Sequence, residues 1–134
     1  MSRLILPLFF IYGFFFMENS YCQDTSCFLP KIQRTESNGI ILLEPQLINL
    51  NNRTEKNLSY KFTVKKTGKS GTSNSVQSGN FLIAELDSLT LSKISIQVIP
   101  GDACTGNLLI FQNNQLIIEK NEKFIIPVKQ TKHL

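Results

Sequence analysis

The sequence predicts an all-β protein, an antiparallel β-sandwich of about seven short strands. Three observations carry that expectation. Beyond residue 38 the apolar residues recur with period two, the spacing of a half-buried strand. Turn signals built on Asn, Gly and Pro separate these stretches about every 8–12 residues. No segment of the remaining chain shows a capped 3.6-residue period, so helices are not expected.

Each element follows from its own residues. "GIILLEPQLINL" is apolar but interrupted by Pro45. Proline lacks a ladder donor, so a bulge or a break into two short strands is expected there. "YKFTVKK" alternates Tyr60, Phe62 and Val64 with Lys61, Thr63 and Lys65, which places the first set inward. The next fifteen residues, "TGKSGTSNSVQSGNF", hold no large aliphatic side chain but Val76 until Phe81 closes the run. They read as a strand-to-strand connection, with Gly68, Gly71 and Gly79 letting the backbone turn and a new strand starting at Gln77-Ser78. That strand continues through "NFLIAEL". "KISIQVIP" turns Ile94, Ile96 and Val98 inward. "NLLIFQNNQLIIEK" is a hairpin turned at Asn113-Asn114, because Asn tolerates the positive φ that tight turns need. "KFIIPVK" supplies an edge strand marked by Pro127. The chain has no Trp, and the Cys spacing of antibody domains is missing. The expectation is therefore of immunoglobulin-like architecture and nothing narrower.

The first 22 residues stand apart. Arg3 precedes the apolar run "LILPLFFIYGFFFM", followed by polar "ENSYC". A single positive charge, a short apolar core and small residues near the cut describe a secretory signal, and the run is shorter than the ~20 residues of a membrane span. Cleavage after Cys22 leaves one domain, residues 23–134, of about 110 residues, enough for a single modest core. An acylated Cys22 is the alternative at this junction, disfavoured by the bulky Tyr21 before it.

The cut reduces three cysteines to two, Cys27 and Cys104, in a compartment that permits oxidation. An internal disulfide between them is expected. Closing that loop would stabilise the chain by up to about 4.5 kcal/mol.

The residues exclude most chemistry. The single His, His133, is next to the C-terminus and cannot anchor a catalytic triad. One His and two distant cysteines make no metal set. Glu85 and Asp87 read as solvated acids beside a turn. "GKSG" at Gly68 to Gly71 lacks the upstream Gly and the strand-to-helix setting of a phosphate loop. No enzymatic activity, metal or cofactor is expected. The net charge of +4 suits acidic partners but lacks the density of a nucleic-acid binder. What stands out is Lys61, Lys65, Lys66 and Lys69, along and just beyond one strand, with Lys61 and Lys65 on its outward face. Lysines there guard a sheet edge, or they steer an acidic, unfolded polypeptide onto the sandwich.

"YKFTVKKTGKSGTSNSVQSGNF", followed by a strand and by "SKISIQVIPGD", resembles the CsgC/CsgH family of periplasmic chaperones of the curli amyloid system. The resemblance spans Tyr60 to Lys120, and the Gly/Ser run with "QSG" is its most specific part. It implies a seven-stranded immunoglobulin-like domain without enzymatic activity, a monomer in the periplasm with no stable membrane association after signal cleavage. The implied partner is an unfolded or early oligomeric curli-type subunit, met through Lys61, Lys65, Lys66 and Lys69. The CsgC-type pair of cysteines one residue apart is absent, which leaves thiol exchange unsupported. A structural or adhesive β-sandwich subunit of a surface fibre is the competing reading, since it would share the signal, the strands and the disulfide.

Overall fold

A computed structural model describes residues 27–69 and 71–128. The leader, residues 1–22, and His133 lie outside the described residues. Among those described, the chain forms eight strands and no helix: β1 (Phe28–Ser37), β2 (Ile40–Asn49), β3 (Glu55–Gly68), β4 (Gly71–Ile83), β5 (Ser88–Thr90), β6 (Ile94–Gln97), β7 (Ala103–Gln112) and β8 (Gln115–Ile125). They build two antiparallel four-stranded sheets. One has β2 between β1 and the short pair β5 and β6; the other runs β4-β3-β7-β8.

The core is the period-two pattern made solid. Ile41, Leu43 and Leu47 from β2, Ile94 and Ile96 from β6, and Phe62, Val64, Leu108 and Ile110 from β3 and β7 are all buried between the sheets. Each such side chain contributes roughly 1.5–3 kcal/mol on burial. Two hairpins are closed by left-handed residues. Asn38 (φ 53°) and Gly39 (φ 77°) join β1 to β2, and Asn113 (φ 53°) and Asn114 (φ 67°) join β7 to β8. Positive φ at both turn positions matches the twist of the flanking strands.

Four expectations are corrected. Pro45 neither breaks nor bulges β2, which pairs with β1 without interruption from Ile40 to Asn49. The Pro45 carbonyl accepts from Leu91 N at 2.8 Å, so that residue's backbone points away from β1. On that side β6 ends at Leu43 and β5 begins at Gln46. The missing donor faces the gap between two short partners, and it is they that are interrupted.

The fifteen-residue run is no slack connection. β3 extends to Gly68, β4 starts at Gly71, and the two pair in register from Gly68↔Gly71 to Leu58↔Phe81. Of the three glycines only Gly71, at φ 114°, has turn backbone. Gly68 is under the Asp102 carboxyl, whose Oδ1 occupies the place an added Cβ would take. Gly79 lies beneath the Tyr60 ring, 3.2 Å from where its Cβ would be.

"QLIIEK" and "KFIIPVK" are one strand, β8, and Pro127 falls beyond its end. The fourth correction concerns the cysteines. Cys104 is a buried free thiol, so no Cys27–Cys104 bridge exists. Cys27 borders β1 at the pole where its carbonyl accepts from Leu50 N. Cys104 sits opposite Lys66 at the other pole. The length of β3 between those poles is roughly 35 Å at ~3.3 Å per residue, and a disulfide needs Cα atoms within about 7 Å. Burial, and then the Asp102 carboxylate, push the Cys104 thiol up from its ordinary value, against the weaker opposing pull of Lys66 and Arg34.

Asn49 closes the first pole. It is fully buried at the end of β2, with Nδ2 donating to the carbonyls of Arg53 (2.9 Å), Ala84 (3.0 Å) and Ile83 (3.3 Å). Its Oδ1 accepts from Asn51 N at 2.9 Å. One side chain thereby ties β2 to the β2–β3 connection and to the end of β4.

Candidate functional site

The outer face of the β4-β3-β7-β8 sheet holds two of the four predicted lysines, Lys61 and Lys65. Alternation along β3 sends Leu58, Phe62 and Val64 inward and Ser59, Lys61, Thr63, Lys65 and Thr67 outward. Register fixes their neighbours. Lys61 lies between Ser78 of β4 and Leu109 of β7, Thr63 between Val76 and Asn107, and Lys65 between Asn74 and Thr105. The face thus mixes hydroxyls, amides and ammonium groups with the apolar Val76 and Leu109.

The structure brings Lys61 and Lys65 together on this face, both exposed and about 13 Å apart along the strand at ~3.3 Å per residue. Lys66 does not join them. It has the inward parity of β3, is half-buried, and its Nζ donates to the Gln97 carbonyl at 2.8 Å. Lys66 therefore clasps the two sheets at the pole, opposite Cys104 in the ladder. Lys69 is exposed in the β3–β4 turn, at the end of the face.

One further lysine belongs here that the linear sequence hides. Lys123 of β8 pairs with Thr105, which pairs with Lys65. Lys65, Thr105 and Lys123 form one row, and its lysines are about 10 Å apart at ~4.8 Å per strand. The signal was there, an exposed Lys in an alternating strand, but only the pairing of β7 with β8 places it. Glu119 is the acid of this face among the described residues; its Oε2 accepts from Asn107 Nδ2 at 3.1 Å, and Asn107 also donates to Asn121.

Nothing else among the described residues gathers into a chemical site. Among the described residues no three of His, Cys, Asp and Glu come together to hold a metal ion. Glu85 and Asp87 are exposed in the turn before β5, and the Asp87 carboxylate accepts from Ser88 N at 2.8 Å. A surface hollow of about 800 Å³ is lined by Lys56, Asn57, Leu58, Phe81, Leu82 and the Asn113-Asn114 turn.

No protein-family model matches the sequence, and no curated protein matches it. Solved structures do match it in shape. The curli protein CsgC of E. coli superposes with a TM-score of 0.58 at 13% identity, covering 72% of this chain and 97% of CsgC. CsgH of R. palustris superposes with a TM-score of 0.56 at 20% identity, covering 70% of this chain and 89% of CsgH. A β-galactosidase from Bacteroides fragilis matches over only 16% of its own length with a TM-score of 0.48, too little to bear on activity. This chain is a β-sandwich built as CsgC and CsgH are built.

Proposed function

We propose that the protein is a periplasmic, chaperone-like inhibitor of premature amyloid assembly by curli-type subunits, acting through transient, non-covalent binding of unfolded or early oligomeric species. The observation that carries this reading is the match in shape to CsgC, a curli protein, over 97% of its length. The resemblance of Tyr60 to Lys120 to the CsgC/CsgH family supports it, and so does an outer sheet face with exposed Lys61 and Lys65. Lysines of one sign on a rigid sheet raise the encounter rate with an acidic chain without committing to a stable complex. Lys69, at the end of the face, adds to the same field; Lys66 is held by Gln97 and serves the sandwich instead.

The test is a thioflavin-T time course of a purified curli subunit with this protein well below equimolar. A lag extended several-fold is expected; an unchanged lag with folded protein would end the proposal. Replacing Lys61→Glu and Lys65→Glu together should remove most of the extension while leaving thermal stability within about 0.5 kcal/mol, since both side chains are exposed. The effect of the wild-type protein should also fade as the Debye length falls from about 10 to 3 Å between 0.1 and 1 M salt. An effect independent of both charge and salt would remove the lysines from the mechanism.

The second reading, a subunit of a secreted fibre, is favoured by one observation: β4 ends the second sheet with a long side that pairs with no strand among the described residues. Self-association on sedimentation at rising concentration would support it, and a monomer throughout would exclude it.

A further inference from the structure

Sheet edges are where a β-sandwich invites another chain, and three of the four edges here are guarded. β1 carries Pro30, Lys31, Arg34 and Glu36, and Arg34 stacks over the Phe124 ring at 4.3 Å. β8 carries Glu119, Lys120, Glu122 and Lys123 and departs from regular register opposite Ile110-Phe111. β5 and β6 are only three and four residues long. Charge, proline, bulges and shortness are the devices by which native proteins blunt an edge.

β4 uses none of them. From Gly71 to Asn80 it has no charge and no proline, and its register with β3 is unbroken over Gly71–Phe81. Its other side pairs with no strand among the described residues. It also overhangs the sandwich. Ser73, Ser75, Gln77 and Gly79 have the inward parity, yet they are exposed or only half-buried, whereas their neighbours Phe62 and Val64 on β3 are fully buried. The cross-sheet bond of this stretch is Gln77 Nε2 to the Lys93 carbonyl at 3.3 Å.

We infer that the free edge of β4, residues 71–80, is a strand-docking site for an extended polypeptide segment rich in Asn, Gln, Ser and Thr and free of Lys and Arg. The inference rests on the proposed function, and names the contact and the segment chemistry that reading leaves open. An added strand would have its side chains alongside Thr72, Asn74, Val76, Ser78 and Asn80 on one face and Ser73, Ser75, Gln77 and Gly79 on the other. Amides and hydroxyls satisfy such neighbours in cross-strand pairs; an apolar segment would gain little burial on either face. Backbone hydrogen bonds supply the affinity in this mode and the side chains supply selectivity. Lys61 and Lys65 lie one strand away on the outer face, about 10 Å from the docked strand at two inter-strand spacings. They repel basic segments and attract acidic flanks. Docking covers one side of an aggregation-prone segment, which would otherwise template its own kind.

The test is amide hydrogen exchange of the whole protein with a synthetic peptide of alternating Gln, Asn and Ser, about ten residues long to match the edge. The β4 amides not bonded to β3 exchange freely in the protein alone; with peptide they should slow by about tenfold or more. Ser75→Lys and Ser75→Glu each put an inward-pointing charge on the overhanging side, which must reach out past the edge. Both should abolish the protection, whereas pure charge steering would make the two signs act oppositely. Unchanged exchange across residues 71–80 overturns the site, as does protection that grows with protein concentration in the absence of peptide, which marks pairing between two copies. The thioflavin-T assay separates the two proposals. Peptide protection of β4 with no effect on the lag upholds the docking edge and ends the chaperone reading. A lag extension that survives both Ser75 substitutions does the reverse.

Discussion

Asn49→Asp is expected to destabilise the domain by about 3–5 kcal/mol, although it changes a single side-chain nitrogen for oxygen. The Asn49 amide nitrogen faces three backbone carbonyls, those of Arg53, Ile83 and Ala84, in a fully buried position. An aspartate oxygen there meets three acceptors with nothing to donate. Either the carboxylate remains charged against them or it takes up a proton and satisfies one of the three. The penalty should therefore shrink as pH falls towards the ordinary carboxylate range near 4, where the protonated form is free to supply one donor. Thermal melts of variant and wild type at pH 7 and pH 4 check both halves, and a Tm lower by about 15 °C at pH 7 is the expected scale. A variant as stable as wild type would mean that the pole is held by backbone pairing alone.

Phe62→Ala should cost a similar amount, about 3–5 kcal/mol, by a different route. Phe62 is fully buried at the centre of β3, between Gln77 and Leu108 in the ladder. Its ring edge approaches Gly106, lying 3.6 Å from where a Cβ on that residue would be. The sheets on either side are paired and cannot collapse far into the space, so the cavity persists and most of the ring's transfer energy is lost. Urea unfolding should show a lower midpoint at an unchanged slope. Phe62→Leu, which keeps most of the volume, should lose less than half as much.

Much of this architecture was legible in the residues. Phe62 and Val64, Ile94 and Ile96, and the Asn113-Asn114 turn lie where alternation and turn chemistry put them. The misreadings share a physical origin. β4 reads as a connection over Gly71–Val76 because a strand is recognised by one apolar face, and an overhanging strand buries neither. β1 went unseen for a related reason. Phe28, Pro30 and Ile32 alternate inward, but Arg34 and Glu36 continue the same parity, and the pattern dissolves where the edge leaves the core. Pro45 is harmless because of what the partner strands do, and one strand's sequence does not record that. The candidate face was legible as far as Lys61 and Lys65; Lys123 required the pairing of two strands, and Lys66 required the other sheet. The cysteines misled because the chain separation of Cys27 and Cys104 says nothing of which pole each one occupies.

The tight turns at Asn38-Gly39 and Asn113-Asn114, with the close approach of Gly68 and Gly71, also set the order in which the chain acquires its shape. Three hairpins need only local closure, which takes microseconds. Joining β3 to β7 is different: Lys61 and Leu109 must meet across about fifty residues, with the loop-closure entropy spent before the contact stabilises anything. The barrier to folding is expected at that seam. Ile110→Val, worth about 1 kcal/mol, should slow refolding, while Ile41→Val, at a side chain buried between the sheets whose packing forms only after that seam has closed, should chiefly hasten unfolding. During that wait the uncharged β4 hairpin is formed but not yet seated, and it is then that this chain most resembles the aggregation-prone segments its own edge is suited to hold.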